Sequence, residues 1–187
     1  VRPVHAITDV RSASLETLTD QLGAQAPLSL MRDGTLYAEL RLAPAGETLA
    51  FDIYAYDPRC AAGQALPDDL SLELFVAHPV KRRIRQLIVT PGEGEAPSMR
   101  LLELANPCPL AGAEARQRAT QGLWHVTGQL PLQECLLDGD FTAFWFEFAG
   151  VLAPAVDAGP RYMCLFGSRS PYLESRRFGR IELNASE

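Results

Sequence analysis

The chain has 187 residues, 47% hydrophobic and 21% charged, which is the composition of a globular domain that can bury one hydrophobic core. Its net charge of −6 argues against nucleic acid as a partner, because phosphate binding requires a basic surface. The sequence contains no run of about 18 apolar residues, so we predict no membrane-spanning helix and no membrane partner.

The sequence gives little information on the compartment. The chain begins at Val1 and shows no signal peptide, which favours the cytoplasm over the periplasm or the extracellular space, although a leader removed earlier would leave the same sequence. The cysteines lack the C-x-x-C spacing of zinc sites. Cys135 and Cys164 lie in apolar runs and are expected to be buried, whereas Cys60 and Cys108 follow loop signals and are able to pair in an oxidising compartment.

The first 30 residues are predicted to form an N-terminal extension with one short helix packed on the rest of the domain. Leu15, Leu18 and Leu22 share one helical face. Ser14 is a typical N-cap residue and Gly23 a typical stop, so the helix is expected between them.

The rest of the chain alternates apolar and polar residues in short runs that are separated by Gly/Pro turns. Nine strands follow from this pattern, within 35–42, 49–56, 70–76, 83–90, 99–104, 122–131, 143–148, 161–166 and 177–183, and 28–31 is interpreted as a further short strand. Residues 106–120 are interpreted as a long loop with a helical turn at 113–118. The pattern predicts a single all-β domain over 1–187, an antiparallel β-sandwich of the jelly-roll or immunoglobulin-like kind with one or two short helices.

The stretch from Gly122 to Gly150 has the most strongly specified register. Phe144, Phe146 and Phe148 alternate with Trp145 and Glu147, and a slip of one residue would move three phenylalanines into water. The phenylalanines are therefore predicted to face the core, and Trp145 and Glu147 to face outward.

Five short motifs follow one another along the chain: Thr35–Leu42, Tyr54–Asp57, Asp69–Phe75, Gly122–Pro131 and Arg177–Leu183. In this order they resemble the family 9 carbohydrate-binding modules and the wider group of DOMON-like sandwiches. Thr127 stands where that group usually has glutamate. The resemblance implies a β-sandwich and, as an expectation, non-catalytic binding of a sugar.

A candidate ligand site follows from the alternation, because sugars stack on aromatic rings and their hydroxyls bind carboxylates, amides and arginine. The side chains predicted to share one outward face, among others, are Trp145, Glu147, Tyr54, Tyr56, His125 and Gln129. A loop at 167–177 adds Tyr172 and Arg176, whose guanidinium can make forked hydrogen bonds. The alternative is that these aromatics pack under the helix and the long loops as a second small core.

Cofactors are predicted to be absent, with two alternatives left open. Calcium could bind the loop carboxylates Asp138/Asp140 or Asp68/Asp69, although neither pair has EF-hand spacing. Because some DOMON-like sandwiches hold haem b between a methionine and a histidine, a Met31/His125 pair is conceivable.

The sequence has no nucleophile elbow, P-loop, dinucleotide fingerprint or H-E-x-x-H motif, so we predict that the protein is not an enzyme. The leading expectation is binding of a carbohydrate or a similar small polar ligand. The alternatives are a protein-interaction or structural module without a small ligand, in which a homodimer is an open possibility, and a haem b electron carrier.

Overall fold

The computed structural model describes residues 4–11, 14–78, 80, 83–137, 141–152, 161–167 and 177–184. In these residues the chain forms one helix, α1 (Leu15–Leu22), and the following strands. They are β1 (Val4–Thr8), β2 (Leu28–Arg32), β3 (Thr35–Ala45), β4 (Thr48–Tyr56), β5 (Leu72–Ala77), β6 (Ile84–Thr90), β7 (Ser98–Glu103), β8 (Asn106–Cys108), β9 (Glu114–Thr120), β10 (Leu123–Pro131), β11 (Ala143–Leu152), β12 (Arg161–Cys164) and β13 (Gly179–Asn184).

The described strands form two sheets, which confirms the predicted β-sandwich. Sheet A has the order β1-β13-β11-β5-β6-β7-β8, with β12 also paired to β11. Sheet B has the order β2-β3-β4-β10-β9. All pairings between these strands are antiparallel except that of β1 with β13, which is parallel. The chain crosses from sheet B to sheet A between β10 and β11.

The main core lies between the two sheets. Phe144, Phe146 and Phe148 of sheet A are fully buried in one cluster with Phe51 and Trp124 of sheet B. The predicted register of β11 is therefore confirmed, and its odd-numbered side chains point to the outer surface of sheet A. The indole Nε1 of Trp124 is buried and satisfied by Oε1 of Gln117 at 3.1 Å.

Helix α1 lies on the outer surface of sheet B, as the sequence predicted. Leu18 and Leu22 are buried against three alanines of β3 and β4, Ala43, Ala45 and Ala50. These methyl side chains leave room for the helix to approach the sheet closely. The first 30 residues also supply β1 and β2, so this segment contributes a strand to each sheet in addition to the predicted helix.

The interpretation of residues 106–120 as a loop with a helical turn was wrong. Glu114–Thr120 forms β9, an edge strand of sheet B that pairs with β10. Its outward residues are charged or polar because they face solvent, while Ala115, Gln117 and Ala119 face inward. Glu, Ala, Arg and Gln in this segment are good helix formers, so the sequence alone favours a helix. Pairing with β10 in the folded protein outweighs this local preference.

None of the helices in the described residues is long and apolar enough to cross a membrane. The four cysteines are free thiols. Cys60 and Cys135 are buried, and burial raises the pKa of both thiols. These two side chains are therefore protonated at neutral pH and serve as small core residues.

Gly128 of β10 lies opposite Phe51 of β4, and the phenylalanine ring fills the space where a side chain would stand. A Cβ at Gly128 would lie 2.8 Å from Cε2 of that ring. We expect Gly128→Ala to lower the free energy of unfolding by about 1–3 kcal/mol through overpacking. Chemical denaturation measures this loss. In a double-mutant cycle with Phe51→Leu, the two changes should be non-additive, because the smaller side chain relieves the overlap; strict additivity would contradict the proposed contact.

Candidate functional site

The side chains predicted to share one outward face lie on two surfaces of the sandwich. Trp145 and Glu147 belong to β11 of sheet A, whereas the other four described residues, Tyr54, Tyr56, His125 and Gln129, belong to β4 and β10 of sheet B. The core separates the two outer surfaces, so the prediction of a single face was wrong. Alternation distinguishes inward from outward side chains, but it does not say which sheet a strand joins.

Tyr172 and Arg176 lie outside the described residues, as do Asp138 and Asp140. Their assignment to a ligand or a calcium site stays a prediction.

The outer surface of sheet A carries a cluster of buried polar side chains, which we call the carboxyl cluster: Glu73, Gln86 and Glu147. These side chains are 4%, 2% and 0% exposed. Nε2 of Gln86 donates a hydrogen bond to Oε2 of Glu73 at 2.7 Å, across the pairing of β5 with β6. Oε1 of Glu147 accepts the backbone N–H groups of Phe148 and Phe166 at 3.1 and 2.9 Å.

A group of aromatic side chains lies on the same outer surface of sheet A. Phe75 and Phe178 are fully buried, with ring centroids 6.2 Å apart. Trp145 is half-buried and packs against this aromatic group. The outer surface of sheet A therefore has a second small core, as the alternative interpretation of the sequence proposed, but that core contains two carboxyl groups.

Burial strongly perturbs the carboxyl group of Glu73. Burial raises its pKa to about 7, although the hydrogen bond from Gln86 and the charge of Arg100 act in the opposite direction. A carboxyl group with this pKa exists in both protonation states near neutral pH, so it can either donate or accept a hydrogen bond.

The outer surface of sheet B has a row of planar side chains standing across four strands. Tyr54 stacks on His125 with ring centroids 4.3 Å apart and an interplanar angle of 14°. The guanidinium carbon of Arg41 lies 5.4 Å from the centroid of the Tyr54 ring, on the side of β3. Both faces of Tyr54 are therefore occupied by protein, and a sugar ring could stack on Tyr54 only after these neighbours moved.

Beneath this row, a buried hydrogen-bond network centres on Asp52. Oδ1 of Asp52 accepts hydrogen bonds from Nε2 of His125 at 2.6 Å and from Oγ1 of Thr127 at 2.7 Å. Nε of Arg118 donates to Nδ1 of His125 at 2.9 Å, which fixes the neutral tautomer with its proton on Nε2. Because Thr127 donates to Asp52, the hydroxyl of Thr19 donates to Thr127 at 2.8 Å.

The remaining predicted residues of sheet B bind neighbouring side chains. The hydroxyl of Tyr56 donates to Oε2 of Glu39 at 2.7 Å, and Nε2 of Gln129 donates to Oε2 of Glu114 at 3.1 Å. Burial and the neighbouring carboxylate of Asp52 raise the pKa of Tyr54 to about 12, so its phenol stays protonated. A role of these residues in ligand binding stays a prediction.

Sequence reasoning missed several polar residues of this surface as site candidates, above all Arg118, Thr127 and Thr19. Arg118 was hidden by the wrong interpretation of β9. The signal that could have found it is the alternation of Glu114, Arg116 and Arg118 with small or amide residues, which is the pattern of a half-buried strand.

The described residues contain no group of three or more His, Cys, Asp or Glu side chains that could hold a metal ion. Asp69, one of the residues considered for calcium, forms an ion pair with Arg59 at 2.9 Å. Both ring nitrogens of His125 are engaged in hydrogen bonds, so iron ligation by this residue would require one of them to break.

Because its pKa is raised, Glu73 should make the free energy of unfolding depend on pH. In the unfolded chain this carboxyl group titrates near its ordinary value of 4.5, but in the folded protein it keeps its proton up to about pH 7. Between these values only the unfolded state loses the proton, so the free energy of unfolding falls as pH rises from about 4.5 to 7 and is constant above. The loss is at most about 3 kcal/mol, at 1.36 kcal/mol per pKa unit.

Chemical denaturation at pH 5 and pH 8 measures this effect. In Glu73→Gln the amide has the same shape and no proton to lose, so the difference between the two pH values should shrink by the contribution of Glu73. An unchanged difference in the variant would assign the pH dependence to other groups.

No family model matches the sequence, and no curated protein matches it. Solved structures with the same fold do match. A candidate carbohydrate-binding protein from Bacteroides uniformis has a TM-score of 0.66 at 12% identity, over 98% of this chain and all of the other. A family 9 carbohydrate-binding module from Caldicellulosiruptor kristjanssonii, in complex with cellotriose, has a TM-score of 0.64 at 14% identity, over 98% of this chain and 95% of the module.

A module of the same family and organism, in complex with glucose, has a TM-score of 0.64 at 15% identity, over 97% of each chain. At these identities the likeness concerns the fold. The chain therefore has the β-sandwich fold of the family 9 carbohydrate-binding modules, as its ordered motifs predicted.

Proposed function

We propose that this protein is a non-catalytic carbohydrate-binding module whose ligand is held at the outer surface of sheet A, by Trp145 and the carboxyl cluster. The side chains of the cluster are at most 4% exposed, so the ligand reaches them after the side chains that cover them move. The observation that carries the proposal is the burial of two carboxyl groups and an amide on an outward sheet surface. Burying such groups costs free energy unless they are hydrogen-bonded, and apolar side chains would pack there at lower cost.

The chemistry of the cluster suits sugar hydroxyls, each of which can donate and accept one hydrogen bond. Glu73 can accept from a hydroxyl when ionised and donate to one when protonated, while Gln86 offers an amide. Trp145 lies half-buried on the same surface and is an amphipathic ring of the type that packs against the C–H face of a pyranose. Tyr172 and Arg176, predicted from the sequence, are proposed as further contacts.

The neighbours of the same fold guide the choice of ligand. Two of them are described in complex with cellotriose and with glucose, so we infer that neutral gluco-configured sugars are the first ligands to test. The absence of enzyme motifs in the sequence agrees with a binding role.

Isothermal titration calorimetry with cellotriose tests the proposal. We expect Trp145→Ala and Glu73→Gln each to weaken binding by about 10-fold or more, because each removes an interaction worth roughly 1–3 kcal/mol when buried. Tyr56→Ala on the opposite sheet is the control and should leave the affinity unchanged.

Thermal unfolding of each variant separates lost binding from lost folding. If Trp145→Ala does not fold, Glu73→Gln and the more conservative Trp145→Phe decide the question. Absence of binding by the folded wild type to cellotriose, glucose and a broader glycan array would refute carbohydrate binding and favour the interaction-module alternative.

The affinity should also depend on pH. Sugar hydroxyls donate more strongly to a carboxylate than to a neutral acid, so binding should strengthen as pH rises through about 7 in the wild type. Titrations at pH 6 and pH 8 measure this change, and it should be absent in Glu73→Gln. Equal pH dependence in both proteins would exclude Glu73 as the titrating contact.

A further inference from the structure

A second polar concavity lies on the opposite side of the sandwich, between α1 and the edge of sheet B. It has a volume of about 330 Å³, which is large enough for a monosaccharide-sized ligand. Thr19 and Asp20 of α1 lie on one side of it, Arg118 on the other, and His125 and Thr127 form its floor. None of these residues belongs to the carboxyl cluster, so the groove is independent of the proposed sugar site.

The guanidinium of Arg118 is held in place by a buried relay. Its Nε donates to Nδ1 of His125, and Nε2 of His125 donates to Oδ1 of Asp52, which is fully buried. Among the described residues, no carboxylate lies within ion-pair distance of Arg118, and its two terminal nitrogens make no hydrogen bond. A guanidinium that is held in place, with both terminal nitrogens available, can bind a carboxylate through two parallel hydrogen bonds.

The rest of the groove limits the charge of the ligand. Glu16 and Asp20 stand on the helix side, so two carboxylates face the two arginines Arg116 and Arg118. Arg116 is paired with Glu16 at 2.9 Å, which leaves Arg118 and Asp20 as the charges available to a ligand. A ligand with several negative charges would be repelled by Asp20, whereas one carboxylate can reach Arg118 alone.

The helix side of the groove offers acceptors to hydroxyl groups. The hydroxyl proton of Thr19 points to Thr127, so the oxygen of Thr19 has lone pairs left to accept a hydrogen bond. Asp20 accepts as well. A ligand for this groove therefore carries one carboxylate and several hydroxyl groups.

We propose that the groove between α1 and β9/β10 is a second binding site, for a sugar acid of the uronate class. The carboxylate binds the fork of Arg118, and the ring hydroxyls bind Thr19 and Asp20. His125 and Asp52 are positioning residues, because they orient the guanidinium before the ligand arrives and so reduce the entropy lost on binding.

Calorimetric titration with glucuronate, at fixed ionic strength, tests the site. We expect Arg118→Gln to weaken glucuronate binding at least 10-fold, since the charge-assisted fork is lost. Arg32→Gln, at an exposed arginine of β2 on the opposite edge of sheet B, is the matched charge-neutralising control and should bind glucuronate as the wild type does. In Trp145→Ala, which removes the proposed sugar site of sheet A, glucose has the same ring without the carboxylate and should bind at least 10-fold more weakly than glucuronate.

The relay has its own test. His125→Phe keeps a flat ring beside Tyr54 but removes the acceptor for Arg118. We expect weaker glucuronate binding and, in an NMR spectrum, loss of the exchange protection of the Arg118 Nε proton while the melting temperature shows that the variant is folded. Protection that persists in His125→Phe would overturn the positioning role.

Three outcomes would overturn the binding site itself. They are no binding of glucuronate to the folded wild type, equal affinity of Arg118→Gln and wild type, and an equal loss of affinity in Arg32→Gln and Arg118→Gln. The last outcome would mean that the overall charge of the protein, and not a site at Arg118, governs binding. Failure of cellotriose to bind would refute the proposed function and leave this groove unaffected.

Discussion

The packing of β11 against sheet B determines where Trp145 and Glu147 point. Phe144, Phe146 and Phe148 bury one face of this strand in the core beside Phe51 and Trp124. Because side chains alternate along a strand, this burial forces Trp145 and Glu147 to the outer surface of sheet A. Glu147 then needs partners there, and two backbone N–H groups supply them. Burial of the three phenylalanines thus places the carboxyl group of Glu147 on the opposite face of the strand, where it is buried and must be hydrogen-bonded.

The buried carboxyl groups on the two outer surfaces differ in the hydrogen bonds that they receive. On sheet B, Oδ1 of Asp52 receives two strong hydrogen bonds, from His125 and Thr127, so this carboxylate is stabilised where it stands. On sheet A, Glu73 receives one hydrogen bond from Gln86, and burial raises its pKa to about 7. A carboxylate stabilised by protein donors is typical of a positioning element. A buried carboxyl group with a strongly raised pKa is more typical of a functional site.

Most of the fold could be predicted from the sequence, and most of the site could not. The helix between Ser14 and Gly23 was found because its leucines repeat at helical spacing, and β11 because a slip would expose three phenylalanines. The strand β9 was missed because an edge strand with exposed charged residues has little apolar signal. The division of the predicted face between two sheets was missed for a topological reason: β10 and β11 are consecutive in the chain, yet they pair with different neighbours.

That division changes how the aromatic residues should be interpreted. Tyr54 was a candidate stacking platform when it was considered alone, but His125 and Arg41 occupy its two faces. An aromatic ring enclosed in this way holds its neighbouring side chains in position and offers no face on which a ligand could stack. The row that includes Tyr54 and His125 therefore holds Arg118 at the edge of the groove, and the part of this surface that is free to bind is the guanidinium fork. Whether a polar group is available to a ligand therefore tells more about a binding surface than the number of aromatic residues on it.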